Sequence, residues 1–492
     1  MPGLKHPTLY QINSRIWLNQ LSRNLKRKAT LDDISDSELG SIAHQGFDWI
    51  YLLGVWQTGE IGRQMVRTNP EWRKEYKLIL PDLQEDDLCG SCFAITGYNV
   101  DPDLGGNQAL LRLRDRLRNH GLHLMVDFIP NHTAIDHPWV NENPEMYVPG
   151  TESQLQNEPR NYIRVRSSRG DIILAHGRDP NFSGWSDTLQ LNYGNPVVQE
   201  SMAQELEKLA ELCDGVRCDM TMLLLPEIFK KTWGITSSPF WPLCIDRVRR
   251  RFPDFTLLAE VYWDLEWTLQ QQGFDYTYDK RLYDRLIHQN ARSVRDHLRG
   301  DRNYQQKMTR FLENHDERRA AEAFLPNIHQ AAAVITYLSP GMHFFHHGQL
   351  DGLKVKIPVQ ICRHPEEIRN PLLREFYTRL LECIQLPVVK IGEWQLIEPK
   401  PAWESNWTWD NYVAFSWQES AGQQLLVAVN YSPHQSQCYL PLPHLASSHW
   451  TYQFTDLMGS SKFIQDGNSL VSPGLYMDIS KWGYHVFEIH KL

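Results

Sequence analysis

Short apolar, β-prone runs alternate with amphipathic stretches from Thr8 to about residue 385, and this alternation constrains the fold more than any other feature. The apolar runs predict strands at Leu9–Ile12, Trp49–Leu52, Leu122–Phe128, Gly215–Asp219, Thr256–Glu260, Phe274–Tyr276, Thr309–Glu313 and Met342–Phe345. The amphipathic segments predict helices such as Gln108–Asn119, Pro196–Leu212, Pro242–Phe252 and Leu372–Ile384. Apolar strands followed by helices are typical of a parallel sheet covered on both faces, so eight such units predict an α/β fold, the (β/α)8 TIM barrel.

Three departures from this alternation predict the domain organisation. Two connections, 56–95 and 131–193, are too long for ordinary loops of a barrel and predict a long loop and an inserted domain. Beyond residue 388 strand-like runs follow one another without helices, which predicts a C-terminal antiparallel β-sandwich domain. The predicted boundaries are 1–130 and 194–388 for the barrel, 131–193 for the insertion and 389–492 for the C-terminal domain.

Composition excludes several classes of protein. The chain has 492 residues, 41% hydrophobic and 22% charged, with a net charge of −9 and no cluster of Lys or Arg, so nucleic acid is not an expected partner. Neither a signal peptide nor an apolar stretch of membrane-spanning length is apparent, which predicts a cytoplasmic protein without a membrane partner.

Eight scattered cysteines fit reduced thiols, and we interpret Cys89-Gly90-Ser91-Cys92 as a tight turn. The oligomeric state is left open.

Four short segments place acids and imidazoles at or just after predicted strands. They are Asp127–His132, Gly215–Asp219, Ala259–Val261 and Asn314–Asp316. Because active sites of these barrels lie at the carboxyl ends of the strands, the side chains are expected to converge. Crowded carboxylates are costly unless chemistry needs them, so this end of the barrel is the predicted active site.

The environments of two carboxyls predict different roles for them. Arg217 and Asp219 are two residues apart on a strand, so they face the same side, and the guanidinium is expected to keep Asp219 ionised. Glu260 follows an apolar run whose desolvation would raise its pKa, as a general acid requires. An ionised nucleophile beside a protonated acid is typical of glycoside hydrolysis.

The remaining candidates surround this pair. Asp316 could stabilise positive charge developing at the anomeric carbon of a sugar. His132 and His315 offer N–H donors for sugar hydroxyls, and Asp127 is expected to anchor the loop that carries His132.

The order and spacing of these motifs resemble the alpha-amylase family, glycoside hydrolase family 13. A further segment, Ala94–Tyr98, is similar to the family segment whose Tyr stacks on the reacting sugar. The resemblance implies a retaining α-glycoside hydrolase, acting on α-glucans or malto-oligosaccharides through a covalent glycosyl-enzyme. It implies Asp219 as nucleophile, Glu260 as acid/base and Asp316 as transition-state stabiliser. Tyr98, Asp127, His132, Arg217 and His315 are then the substrate-binding residues, and the insertion corresponds to the family's B domain.

The sequence also departs from the family pattern. Met222 and Leu223 stand where the family usually has a Lys and a His that contact the acceptor and provide a calcium-binding carbonyl. Asn131 is the remaining family-like calcium ligand, so no cofactor is predicted to be required, and calcium stays an open alternative. Other activities left open are an α-transglycosylase and a hydrolase of a small α-glucoside. Outside this class, a metal-dependent hydrolase and an inactive sugar-binding protein also stay open.

Overall fold

The computed structural model describes residues 5–168, 170–419, 422–445 and 450–492. Eight parallel strands close into a barrel: β1 Thr8–Asn13, β2 Trp49–Leu53, β3 His123–Phe128, β4 Gly215–Cys218, β5 Thr256–Ala259, β6 Tyr276–Tyr278, β7 Met308–Arg310 and β8 Met342–His346. Neighbours in sequence are neighbours in the barrel, and β1 pairs with both β2 and β8. The predicted TIM barrel is confirmed. Strand β7 ends three residues before Glu313, and β6 begins two residues after Phe274.

Helices cover the outside of the barrel and form where capping residues precede apolar periodicity. The helix Pro196–Leu212 begins with Pro after the cap Asn195, whose side chain accepts a hydrogen bond from the backbone N–H of Val197. It buries Val198, Met202, Leu206 and Leu209, the spacing of one helix face. Other helices of the barrel are Ser14–Leu25, Asp36–His44, Gly106–Asn119, Pro226–Trp233, Trp241–Arg251, Glu266–Gln271, Lys280–Ile287, Ala291–Leu298, Pro326–Tyr337 and Pro371–Gln385.

The long segment between β2 and its helix is folded. It contains the helices Glu60–Thr68 and Pro70–Ile79 and a strand pair, Trp56–Thr58 with Ile95–Val100. Val66, Tyr76, Leu80, Leu83 and Leu88 form a small core with Ile361, which lies in the segment after β8. The two segments are therefore packed together beside the mouth of the barrel.

The segment after β3 has its own short strands and helices. The strands His132–Ala134 and Thr188–Gln190 pair with each other, as do Tyr162–Ser167 and Gly170–Ala175. Short helices are Pro138–Glu142 and Glu152–Asn157. This is the predicted insertion, and its domain boundaries remain a prediction.

The C-terminal region is the predicted β-sandwich. Its strands are β9 Glu393–Ile397, β10 Tyr412–Gln418, β11 Gln424–Asn430, β12 Ser436–Leu440, β13 Thr451–Asp456, β14 Lys462–Asp466, β15 Leu475–Ile479 and β16 Tyr484–Lys491. They form a six-stranded antiparallel sheet, β9-β10-β11-β16-β13-β14, and a pair, β12-β15. Alternate residues of β10 face opposite cores: Tyr412 and Ala414 pack towards β12 and β15, whereas Phe415 and Trp417 join the barrel core.

No helix in the ranges that the structure describes is long and apolar enough to cross a membrane.

Candidate active site

Arg217 on β4 is the centre of the site. In the sheet register Arg217 is paired with Asp127 of β3 on one side and with Leu258 of β5 on the other. Its side chain is fully buried. Nη1 donates to Asp219 Oδ1 at 2.7 Å and lies 3.8 Å from Asp127 Oδ1. Nη2 lies 2.8 Å from Glu260 Oε2. Three carboxylates from three adjacent strands therefore surround one guanidinium.

The chain around β4 and β5 fixes Glu260 through both carboxylate oxygens. The backbone N–H of Met220 donates to Oε2 at 2.7 Å, and the Tyr262 hydroxyl donates to Oε1 at 2.9 Å. Met220 has a φ of 43°, in the left-handed region, where the chain turns sharply after β4. Sequence reasoning missed Tyr262. The only signal for its contact with Glu260 was its position two residues after the acid, on an irregular loop.

The charge state of Asp219 differs from the expectation. Burial raises the pKa of Asp219 to about 8, against Arg217, which lowers it, while Glu260 raises it further. The prediction that Arg217 keeps Asp219 ionised is therefore wrong, because burial outweighs the effect of the guanidinium. Two carboxyls held side by side are still what a nucleophile and a general acid require for cleaving a glycosidic bond.

Asp316 and His315 form the opposite wall of the site. His315 Nε2 lies 3.0 Å from Asp316 Oδ2, while Gln11 of β1 donates to His315 Nδ1 at 3.0 Å. Asn314 Oδ1 accepts from the backbone N–H of Asp316 at 2.8 Å and so fixes the turn after β7. Desolvation opposes the charge of Asp316, but His315, Arg217 and Lys356 outweigh it and hold its pKa below the usual range. The Asp316 side chain is 46% exposed and remains an anion at the mouth of the barrel.

Phe93 joins the two walls, and sequence reasoning missed it. Its ring centroid is 5.4 Å from Arg217 Cζ and 5.4 Å from the His315 ring. Arg217 holds Asp219 and Glu260, and His315 lies beside Asp316, so the Phe93 ring contacts the partners of all three acids. Phe93 lies at the end of the long loop, where no strand or motif marks it; the signal was an aromatic residue directly after Cys92.

Three predicted substrate-binding residues lie outside this space. Asp127 is fully buried beneath Arg217, and its carboxylate accepts hydrogen bonds from the Tyr51 hydroxyl and the Gly54 backbone N–H. The hydroxyl of Tyr98 accepts from the Ile129 backbone N–H at 2.9 Å, and its ring packs on Phe128.

His132 is the third of these residues. Its imidazole is hydrogen-bonded to the Phe93 backbone and packs 5.0 Å from the Trp185 ring, and burial lowers its pKa to about 4. His132 therefore supports the Phe93 loop as a neutral imidazole. With Tyr98 it borders a separate cavity of about 420 Å³.

The residues around Asn131 do not fit a calcium ion. Gln190 Nε2 donates to Asn131 Oδ1 at 3.0 Å, and Asn131 Nδ2 donates back to Gln190 Oε1 at 3.2 Å. Calcium sites need several oxygen ligands, usually with carboxylates, whereas here the Asn131 amide is satisfied by another neutral amide. Met222 and Leu223 are buried in the core. Within the described ranges no group of three or more His, Cys, Asp or Glu is arranged to hold a metal ion.

Comparison with known proteins identifies the family. Residues 92–371 match the model of the alpha-amylase catalytic domain, which is more than half of the chain. The chain belongs to the alpha-amylase family. The matched range contains Phe93 and every predicted site residue of the barrel, whereas most of the folded long loop and the whole C-terminal sandwich lie outside it.

Individual relatives are distant. The chain is 21% identical over 308 residues to Alpha-amylase 3 of Dictyoglomus thermophilum, covering 57% of each protein. It is 30% identical over 249 residues to an alpha-1,4-glucan:maltose-1-phosphate maltosyltransferase of Cereibacter sphaeroides, covering 48% of this chain and 30% of that protein. The chain thus spans about half or less of the curated relatives' length.

Among solved structures, the maltogenic alpha-amylase AmyB of Thermotoga neapolitana aligns over 99% of both chains with a TM-score of 0.70 and 17% identity. That likeness extends the alpha-amylase fold to the whole chain.

Proposed function

We propose that this protein is a retaining α-glycoside hydrolase that acts on α-glucans or malto-oligosaccharides. The observation that carries the proposal is the Arg217 guanidinium between Asp219 and Glu260, because it holds two carboxyls side by side, as a nucleophile and a general acid require. Asp316 supplies a third carboxylate on the opposite wall. The eight free cysteines agree with a cytoplasmic location.

In the first step Asp219 forms a bond to the anomeric carbon while Glu260 gives its proton to the departing glycosidic oxygen. Arg217 bonds Oδ1 of Asp219, which leaves Oδ2 as the attacking oxygen. Oε2 of Glu260 faces Arg217 and the Met220 N–H, so Oε1, next to the Tyr262 hydroxyl, is the oxygen that can hold the proton. In the second step Glu260 takes a proton from water, whose oxygen displaces Asp219 from the sugar.

Asp316 and Phe93 act on the sugar between these steps. The ionised Asp316 lies where positive charge on the ring can be balanced, and its pKa below the usual range keeps it charged. The partly buried Phe93 ring, with Arg217 over it and His315 beside it, gives the C–H side of a pyranose an apolar contact. A sugar in contact with this ring lies next to the residues that hold the three acids.

The test compares Asp219→Asn and Glu260→Gln with the native enzyme on maltotriose and starch. Each variant should lose several orders of magnitude in kcat while keeping its thermal unfolding transition, since each change removes chemistry and retains shape. Proton NMR of fresh product should show the α anomer first. A β anomer as first product, or unchanged turnover in Glu260→Gln, would overturn the proposal.

A second candidate function is transglycosylation, which two aromatic residues shortly after Glu260 favour. Tyr262 is hydrogen-bonded to the acid, and Trp263 is 39% exposed. An aromatic acceptor surface favours a sugar over water as the second substrate. Transfer to added maltose, measured as new longer products against free glucose released, separates the two activities.

A further inference from the structure

Two cysteines from distant parts of the chain meet beside the active site. Leu88 and Ile361 form an antiparallel bridge, with the Cys89 N–H donating to Gln360 O at 3.0 Å and the Cys362 N–H to Asp87 O at 2.9 Å. This register puts the Cys89 and Cys362 side chains on the same face as diagonal neighbours. Their side chains therefore lie next to each other, and each thiol shifts the pKa of the other.

The surroundings make Cys89 the nucleophile of the pair. Arg15 Nη1 donates to Cys89 Sγ at 3.4 Å and to Gly90 O at 2.9 Å. The neighbouring Cys362 thiol lowers the pKa of Cys89 to about 6 against desolvation, and Arg15 lowers it further. A thiolate beside a guanidinium is the usual environment of a reactive cysteine. Cys89 and Cys362 are partly exposed, whereas the six other cysteines are buried.

The Cys-x-x-Cys motif is therefore not the functional pair. Cys92 is buried, and desolvation raises the pKa of its thiol. It packs close to Gly54, at the start of the long loop. The partner that the fold brings to Cys89 is Cys362, which is 273 residues away in the sequence.

We propose that Cys89 and Cys362 are a redox-responsive dithiol that closes to a disulfide. With a low-molecular-weight disulfide as oxidant, the Cys89 thiolate attacks one of its sulfurs and expels a thiolate. Cys362 then loses its proton and attacks the Cys89 sulfur of the mixed disulfide, which expels the second thiolate. The protein loses two electrons and two protons, and the oxidant becomes two thiols.

This disulfide fastens two segments that wall the site. Cys89 lies four residues before Phe93, and Cys362 lies six residues after Lys356, whose ammonium donates to the backbone oxygen of Asp316. Arg363 already joins the segments by ion pairs with Asp82 and Asp87. A covalent link beside this ion pair restricts opening of the Phe93 loop. The expected consequence is slower turnover, and this part alone rests on the proposed function.

The experiment incubates the full-length protein with glutathione disulfide and maps its peptides by mass spectrometry without reduction. A peptide pair linked through Cys89 and Cys362, about 2 Da lighter than the two thiol peptides, is expected, and dithiothreitol should remove it. Before oxidation, two thiols of the native protein should react rapidly with a chromogenic disulfide reagent. In the Cys362→Ser variant only one thiol should react rapidly. A Cys89–Cys92 link, or a glutathione adduct that persists on Cys89 in the native chain, would overturn the proposal.

Stability and activity provide a second measurement. Oxidation should raise the Tm of the native protein by a few degrees and lower its turnover at least twofold, both reversibly, because the cross-link restrains the unfolded chain and the loop. Cys362→Ser should show neither change, with Cys92→Ser as the matched control that behaves like the native protein. If the cross-link forms without any loss of turnover, the disulfide is supported but its effect on the active-site cleft is disproved. If a variant does not fold, the peptide map of the native protein still shows whether Cys89 and Cys362 form a disulfide.

Discussion

Nη1 of Arg217 lies 2.7 Å from Asp219 Oδ1, and Nη2 of the same guanidinium lies 2.8 Å from Glu260 Oε2. One planar cation therefore sets the spacing of the two carboxyls. The Arg217 side chain is fully buried, and its Cζ lies 5.4 Å from the ring centroid of Phe93 and 5.8 Å from that of Tyr278.

Replacing Arg217 should separate geometry from charge. Arg217→Lys keeps the charge, but a single ammonium cannot bond both carboxylates in parallel, so kcat should fall about 10²–10⁴-fold. Arg217→Met leaves buried carboxylates without a counter-charge and should in addition lower the free energy of unfolding by about 3–5 kcal/mol. Steady-state kinetics and denaturant unfolding measure the two effects. Near-native kcat in Arg217→Lys would contradict the role given to the guanidinium.

The raised pKa of Asp219 predicts how activity depends on pH. The nucleophile attacks as the carboxylate, so with a pKa of about 8 for Asp219, kcat/KM should rise tenfold per pH unit on the acidic limb and level off near pH 8. An aryl α-glucoside with a good leaving group still needs this carboxylate, so its first step should show the same acidic limb. A profile that is flat from pH 5 to 8 with both substrates would contradict the raised pKa of Asp219.

The same pKa shift predicts a change in stability. The folded state keeps the Asp219 carboxyl protonated up to about pH 8, whereas an unfolded Asp loses its proton near pH 4. The free energy of unfolding therefore falls as pH rises through this window. Asp219→Asn removes the titrating group. Urea unfolding at pH 5, 7 and 9 should therefore show a smaller decline for Asp219→Asn than for the native protein. Equal declines would place the proton elsewhere.

The sequence could predict the barrel because its strands are apolar on both faces and therefore visible as continuous runs. Strand β4 begins at the predicted Gly215, and the helix Pro196–Leu212 has the predicted ends, marked by Asn195 and Pro196. The pairing of Arg217 with Asp219 was also predictable, because residues two apart on a strand face the same side, and the structure joins the two side chains at 2.7 Å.

The rest of the site depends on contacts that no local pattern encodes. Phe93 reaches Arg217 because the long loop packs on Ile361, which lies more than 260 residues later. The pKa of Asp219 could not be inferred from Arg217 alone, since burial raises it most, and Glu260 and Asp127 raise it further. Tyr98 had the sequence context of a stacking residue, yet its segment pairs with Trp56–Thr58 and turns the ring towards Phe128.

Shortening Phe93 should weaken substrate binding. A sugar that covers about 40–60 Å² of the ring face gains about 1–1.5 kcal/mol, so Phe93→Ala should lower kcat/KM for maltotriose about tenfold and Phe93→Tyr should retain it. Tyr98→Phe is the matched control. It removes the hydroxyl that accepts from Ile129 N, which costs about 1 kcal/mol of stability without changing kcat/KM. The reverse pattern, with Tyr98→Phe impaired and Phe93→Ala unimpaired, would show that Tyr98 and not Phe93 contacts the sugar.

Removal of calcium should leave the protein unchanged. The paired amides of Asn131 and Gln190 satisfy each other, so no cation is needed to hold the insertion against the barrel. We expect the Tm and the rate of maltotriose hydrolysis to be equal after dialysis against EDTA and after addition of millimolar CaCl₂. Asn131→Ala, which leaves the Gln190 amide unpaired, should lower the free energy of unfolding by about 1–3 kcal/mol to the same extent in both buffers. A Tm that rises with added calcium, and no longer does so in Asn131→Ala, would show that Asn131 binds the cation.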